Sequence, residues 1–154
     1  MIEPKIALFL TLDGKAQEAI QFYQETLDAT LLFAITNQEY RERLDPTLEI
    51  LAGQEQYLSH SILQIGDFQL QLADNPLVEG ETIQRGNHLS LSLTLAESQI
   101  AQKLYQRLMQ KGSQTIQAPS ENAFAFFYAS VRDPFGVIIQ LTVEKEVDPS
   151  KKGG

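Results

Sequence analysis

The sequence predicts an α+β protein made of two successive β-α-β-β-β modules, its strands forming a curved mixed sheet with the helices on the convex side. Three observations carry this. Apolar residues pass from two-residue alternation to three- and four-residue steps and back again, twice along the chain. The order of segments restarts after a stretch holding Pro76, Gly80 and Gly86. A chain of 154 residues, 43% apolar and 21% charged, suffices for one folded domain and its core. The modules are expected at 1–74 and 87–145, with a linker at 75–86 and a frayed polar tail at 146–154.

Residues 6–12 are an apolar run of strand length. Over 15–27, Ala16, Ala19, Ile20, Tyr23 and Leu27 recur at helical spacing. Residues 30–35 read as a second strand. The polar stretch 36–57, broken by Pro46 and Gly53, reads as a long excursion with one short helix. Residues 58–65 and 68–73 form a hairpin turned at Gly66-Asp67. In the second module, 87–95 alternates as a strand. Thr94 and Glu97 have capping-box spacing for a helix that runs to Lys111, stops at Gly112 and buries Ile100, Ala101, Leu104 and Leu108. Residues 113–117 are a short strand, and 123–131 and 137–143 a second hairpin turned at Asp133-Pro134-Phe135-Gly136.

Absent chemistry narrows the function. No cysteine is present, which excludes disulfides, thiolate zinc sites, iron–sulfur clusters and cysteine nucleophiles. A net charge of −8 is repelled by phosphate backbones and anionic lipid, so neither nucleic acid nor membrane is an expected partner. No apolar stretch approaches the ~20 residues that span a bilayer. The first residues lack the features of a signal peptide, and a cytoplasmic location is expected. No His-x-x-x-His, Gly-x-Ser-x-Gly or phosphate-binding glycine loop occurs. Glu121, Asp74 and Asp133 are the candidate acids, with Asp133 better suited to capping its turn.

Alternation sorts the strands into faces. Leu89, Leu91 and Leu93 oppose His88, Ser90 and Ser92. Phe68, Leu70 and Leu72 oppose Gln69, Gln71 and Ala73. Val137, Ile139, Leu141 and Val143 oppose Ile138, Gln140 and Thr142. Leu89, Leu91, Ile139 and Leu141 are expected to pack on helices, while the second faces meet either water or a ligand. Solvated strands usually carry Lys, Glu and Arg, whereas these carry uncharged donors and acceptors. Phe124, Phe126 and Tyr128 share a strand face suited either to the core or to an apolar pocket wall.

Residues 9–23, with Gly14, Ala16, Glu18-Ala19-Ile20 and Phe22-Tyr23, resemble the opening strand and helix of the vicinal-oxygen-chelate superfamily. That superfamily holds the glyoxalase, bleomycin-resistance and extradiol dioxygenase proteins. The block "HSILQIGDFQLQLAD" at 60–74, "NHLSLSL" at 87–93 and "DPFGV" at 133–137 resemble its PhnB-like branch. The resemblance implies a cupped sheet in each module, and in metal-dependent members one divalent ion held from the first and last strands of each. By position it offers His88, Gln140 and Gln71. The first strand offers only Ala7 or Leu8, which cannot ligate, and His60 contributes only if its strand faces the same cup.

One imidazole and two neutral amides are a poor set for a tight metal, because amide oxygens neutralise none of the ion's charge. No cofactor is therefore expected, with a divalent metal as the alternative. The expected function is small-molecule binding in a cupped-sheet pocket lined by His60, Gln69, Gln71, His88, Ser90, Phe126, Tyr128 and Gln140. The alternative is a metal-dependent lyase, isomerase or dioxygenase of the same superfamily, in which the ion stabilises an oxyanion. No catalytic residue can be named. Open strand edges also call for pairing, and a homodimer is expected.

Overall fold

A computed structural model describes residues 1–146. The expected tail at 146–154 lies outside the described residues, save for Glu146. The chain divides into one unit spanning Met1–Gln84 and a second that begins at Arg85. The first contains β1 (Ala7–Thr11), α1 (Ala16–Leu27), β2 (Thr30–Thr36), α2 (Asn37–Arg43), β3 (Leu58–Ile65) and β4 (Phe68–Ala73). The second contains β5 (Ser90–Thr94), α3 (Ser98–Gln110), β6 (Gln114–Ser120), β7 (Ala125–Arg132) and β8 (Ile138–Glu144). The fold is α+β, and the doubled order is as expected.

Each unit has its own four-stranded mixed sheet, ordered β1-β4-β3-β2 and β5-β8-β7-β6. In both, first and last strands pair in parallel and the other neighbours are antiparallel. The apolar face of the first sheet buries Leu63, Leu70 and Leu72, and α1 packs on β2, β3 and β4. The helix brings Ala16, Ala19, Ile20, Tyr23 and Leu27, the stripe its spacing predicts. In the second unit Ala101, Leu104 and Leu108 of α3 are buried, as are Ala129, Val131, Ile139 and Leu141. Helices cover one face of each sheet, and the polar side of each alternation is left helix-free.

Asp74 holds the first unit together at one end. It is 1% exposed. Its Oδ1 accepts from the Gly14 and Ala16 amides at 2.7 and 2.9 Å, and its Oδ2 from the Leu58 amide at 2.8 Å. A candidate acid in the sequence is thus a backbone clamp, placing a carboxylate at the start of α1 where the helix dipole favours it. Gly14 adopts φ +97°, and a Cβ there would lie 2.9 Å from the Tyr57 hydroxyl. Asp133 likewise caps its hairpin, its Oδ1 accepting from the Phe135 and Val137 amides at 2.9 Å each. Glu121 is exposed and pairs with Lys145 at 3.0 Å.

Five expectations fail in the second unit. The strand expected over 87–95 begins only at Ser90, because its partner β8 begins at Ile138 and residues 87–89 have no strand to pair with. Leu89 is therefore 70% exposed rather than packed on a helix, and Leu91 is only half-buried. The capping box does not form: Thr94 is still paired with Thr142, and Glu97 is the N-cap without a side-chain bond. Ile100 is 48% exposed, since it sits ~100° around α3 from Ala101, at the edge of the buried stripe. Phe124 precedes β7, and a register shift between Ala125 and Phe127 breaks the alternation expected of Phe124, Phe126 and Tyr128.

Candidate functional site

In the second unit the register fixes which side chains share the helix-free face. Ser90, Ile138, Arg132 and Gln114 form one row across the sheet; Ser92, Gln140, Ser130 and Gln117 form the next. Thr94, Thr142, Tyr128 and Ser120 form the third. Gln140 is the centre of a hydrogen-bonded chain. The Tyr128 hydroxyl donates to its Oε1 at 2.7 Å, and its Nε2 donates to Ser90 Oγ at 2.7 Å. Both ends of the amide are engaged, so its orientation is set by its neighbours.

In the first unit the corresponding face carries Ala7, Phe9 and Thr11 beside Gln69, Gln71 and Ala73, with Ile62 and Gln64 opposite Gln71 and Gln69. His60 lies in the same alternation of β3 as Ile62, so it does face the side of Gln71. Its ring stacks on Phe9, with centroids 5.9 Å apart and planes 14° apart, and meets Phe33 at 6.2 Å. Gln69 and Gln71 are half-buried. Phe9, not Ala7 or Leu8, is the first-strand residue beside Gln71: Ala7 pairs with Gln69, and Leu8 pairs with Leu70 on the helix-packed side.

Of the remaining sequence-predicted residues, Phe126 is 57% exposed, and Lys145 Nζ stands 5.4 Å from its ring centroid. His88 lies two residues before β5, exposed, beside Gly86. An open cavity of about 540 Å³ lies at the far end of β8, lined by Phe124, Thr142, Glu144, Lys145 and Glu146. It takes in none of the residues expected to line the pocket. The sequence reading passed over Arg132, Phe9 and Phe33. The same two-residue alternation that groups Tyr128 with Ser130 extends to Arg132.

The donors do not suit a tightly held divalent metal ion. Among the described residues no three His, Asp or Glu side chains come together. Gln140 Oε1 already accepts from Tyr128, Phe9 stands where the first unit would need a donor beside Gln71, and His88 lies outside the strand expected to present it. A neutral amide and a lone imidazole leave the ion's charge uncompensated.

Comparison with known proteins agrees with the fold. Residues 5–141 match the family model of the Glyoxalase/Bleomycin resistance protein/Dioxygenase superfamily, and the chain belongs to that superfamily. Protein PA1353 from Pseudomonas aeruginosa is similar in structure, with a TM-score of 0.74 and 21% identity over 94% of this chain and 100% of that one. A PhnB protein from Bacillus cereus aligns with a TM-score of 0.68 and 21% identity over 91% and 99%. A variant of the fosfomycin resistance protein FosX from Listeria monocytogenes, complexed with Mn(II) and 1S,2S-dihydroxypropylphosphonic acid, aligns at 0.66 with 10% identity over 94% and 95%. No curated protein matches the chain.

Proposed function

We propose that this is a PhnB-like, glyoxalase/bleomycin-resistance-type protein that binds a small molecule against a helix-free sheet face, without a tightly held metal. The observation that carries the reading is the bonded chain from Tyr128 through Gln140 to Ser90. Such a chain presents oriented, uncharged polar groups to a ligand, and its neutral amide oxygen would offset none of a metal ion's charge. The likeness to the Bacillus cereus PhnB protein supports the branch, together with the motifs at 60–74, 87–93 and 133–137. A cytoplasmic setting and a homodimer complete the reading. Edge strand β2 leaves Leu31, Leu32 and Phe33 exposed, as an unpaired edge awaiting a second copy would.

The test couples metal analysis to ligand screening. Protein purified without an affinity-tag metal or a chelator should hold well under one equivalent of transition metal. Small molecules that raise its melting temperature should lose affinity with Tyr128→Phe and Gln140→Leu. A stoichiometric ion that disappears with His88→Ala and Gln140→Leu would establish the metal-dependent enzyme instead.

A further inference from the structure

The hydrogen bonds on the second sheet run in one direction. Tyr128 donates to Gln140, and Gln140 donates to Ser90. Ser90 Oγ thus accepts one bond, and its own hydroxyl proton is left as a donor without a protein acceptor among the described residues. Ser90 stands in the row of Arg132, both being paired with Ile138. Arg132 is half-buried, and its Nη1 is held by the carbonyls of Gly136 at 3.2 Å and Gly86 at 3.5 Å. It has no carboxylate partner among the described residues. Arg85 lies along the same turn, its Cδ 2.6 Å from where a Cβ on Gly136 would stand, and it too lacks a carboxylate partner there. His88 abuts Gly86. At the other end of this face β8 carries Glu144.

We infer that Ser90 and Arg132 form an oxyanion-binding site, flanked by Arg85 and His88, for the carboxylate or phosphoryl group of the ligand. The uncharged remainder of that ligand lies over Ser92, Gln140 and Tyr128. An acidic chain with a net charge of −8 would ordinarily neutralise a half-buried guanidinium with one of its own carboxylates. Here two backbone carbonyls fix the guanidinium, and no carboxylate among the described residues compensates its charge. A free hydroxyl donor and a fixed cation in one row match the acceptor-only surface of an oxyanion. Glu144 repels an anion bound in the reverse direction.

This inference rests on the small-molecule reading, and the experiment separates the two. Isotope-labelled protein is titrated with sodium phosphate and with sodium acetate, against sodium chloride at equal ionic strength, following the amide and arginine Nε resonances. A saturable change centred on Ser90 and Arg132, absent with chloride, is expected. Arg132→Met should weaken it by about tenfold or more, Ser90→Ala should weaken it less, and Arg41→Met should leave it unchanged. Preference for phosphate or for acetate assigns the phosphoryl or the carboxylate class. Neutral fragments are titrated in parallel. If they shift Ser92, Gln140 and Tyr128 while neither anion saturates, or if Arg132→Met has no effect, the oxyanion site is overturned and the small-molecule reading stands. If neither fragments nor anions bind this face, both fall.

Discussion

Gln71 and Gln140 occupy the same place in the two sheets. Each sits on the last strand beside a residue of the parallel first strand, Phe9 for Gln71 and Ser92 for Gln140. The two amides differ in what they touch. Gln140 is bonded at both ends, while the Gln71 side chain has no hydrogen-bond partner among the described residues. Duplicated topology has therefore produced one oriented amide and one free amide.

Replacing each by leucine should separate them. Gln140→Leu strips partners from Tyr128 and Ser90, and water at this half-open face compensates in part, so a loss of about 1 kcal/mol is expected. Gln71→Leu breaks no protein hydrogen bond and should stay within about 0.5 kcal/mol of the parent. Urea unfolding of the two variants decides; equal losses would contradict the contrast.

Asp74→Ala leaves three backbone amides without their acceptor. With the clamp buried, the cost should be on the order of 3 kcal/mol. Asp74→Asn keeps one acceptor oxygen and should fall between the parent and alanine. Chemical denaturation ranks the three proteins, and an alanine variant as stable as the parent would refute the clamp.

Gly14 is constrained twice, by its left-handed backbone and by the Tyr57 ring above it. Gly14→Ala should lower stability by roughly 1–3 kcal/mol. Adding Tyr57→Ala removes the steric part and leaves the backbone part. The double variant should therefore lose less than the sum of the two single changes, which calorimetry can measure.

The exposed edge strand β2 gives the dimer its test. Light scattering at micromolar concentration should return about twice the chain mass for the homodimer expected of an unpaired edge. Phe33→Lys, which puts a charge on that edge, should shift the protein toward monomer. A parent that is monomeric at these concentrations would overturn the pairing.

What was legible in the sequence is what depends on neighbours along the chain. Helix α1 declares its buried stripe through its spacing, and β4 and β8 declare their faces through alternation. The start of β5 was not legible, because it depends on where a strand nearly fifty residues later begins to pair. Phe9 was passed over for the same reason: only the register with β4 sets it beside Gln71. Arg132 was missed because the strand was ended one residue early, at Val131, although the turn at Asp133-Pro134-Phe135-Gly136 was placed correctly. The polar faces of Gln140, Tyr128 and Ser90 could be read, but the bonds between them could not.

Asp74 also bears on how the chain folds. Its carboxylate joins partners 60 and 16 residues away in sequence, so loop-closure entropy is spent before these bonds form. Helix α1 can nucleate early, yet its first turn stays uncapped until the last strand of its unit has docked. On a ribosome, residues 1–73 would emerge as an incomplete body whose Gly14 and Ala16 amides still exchange freely with water. The first unit is thus closed by the residue that follows its last strand, and a fragment ending one position short of Asp74 would be a poor vehicle for studying that unit alone.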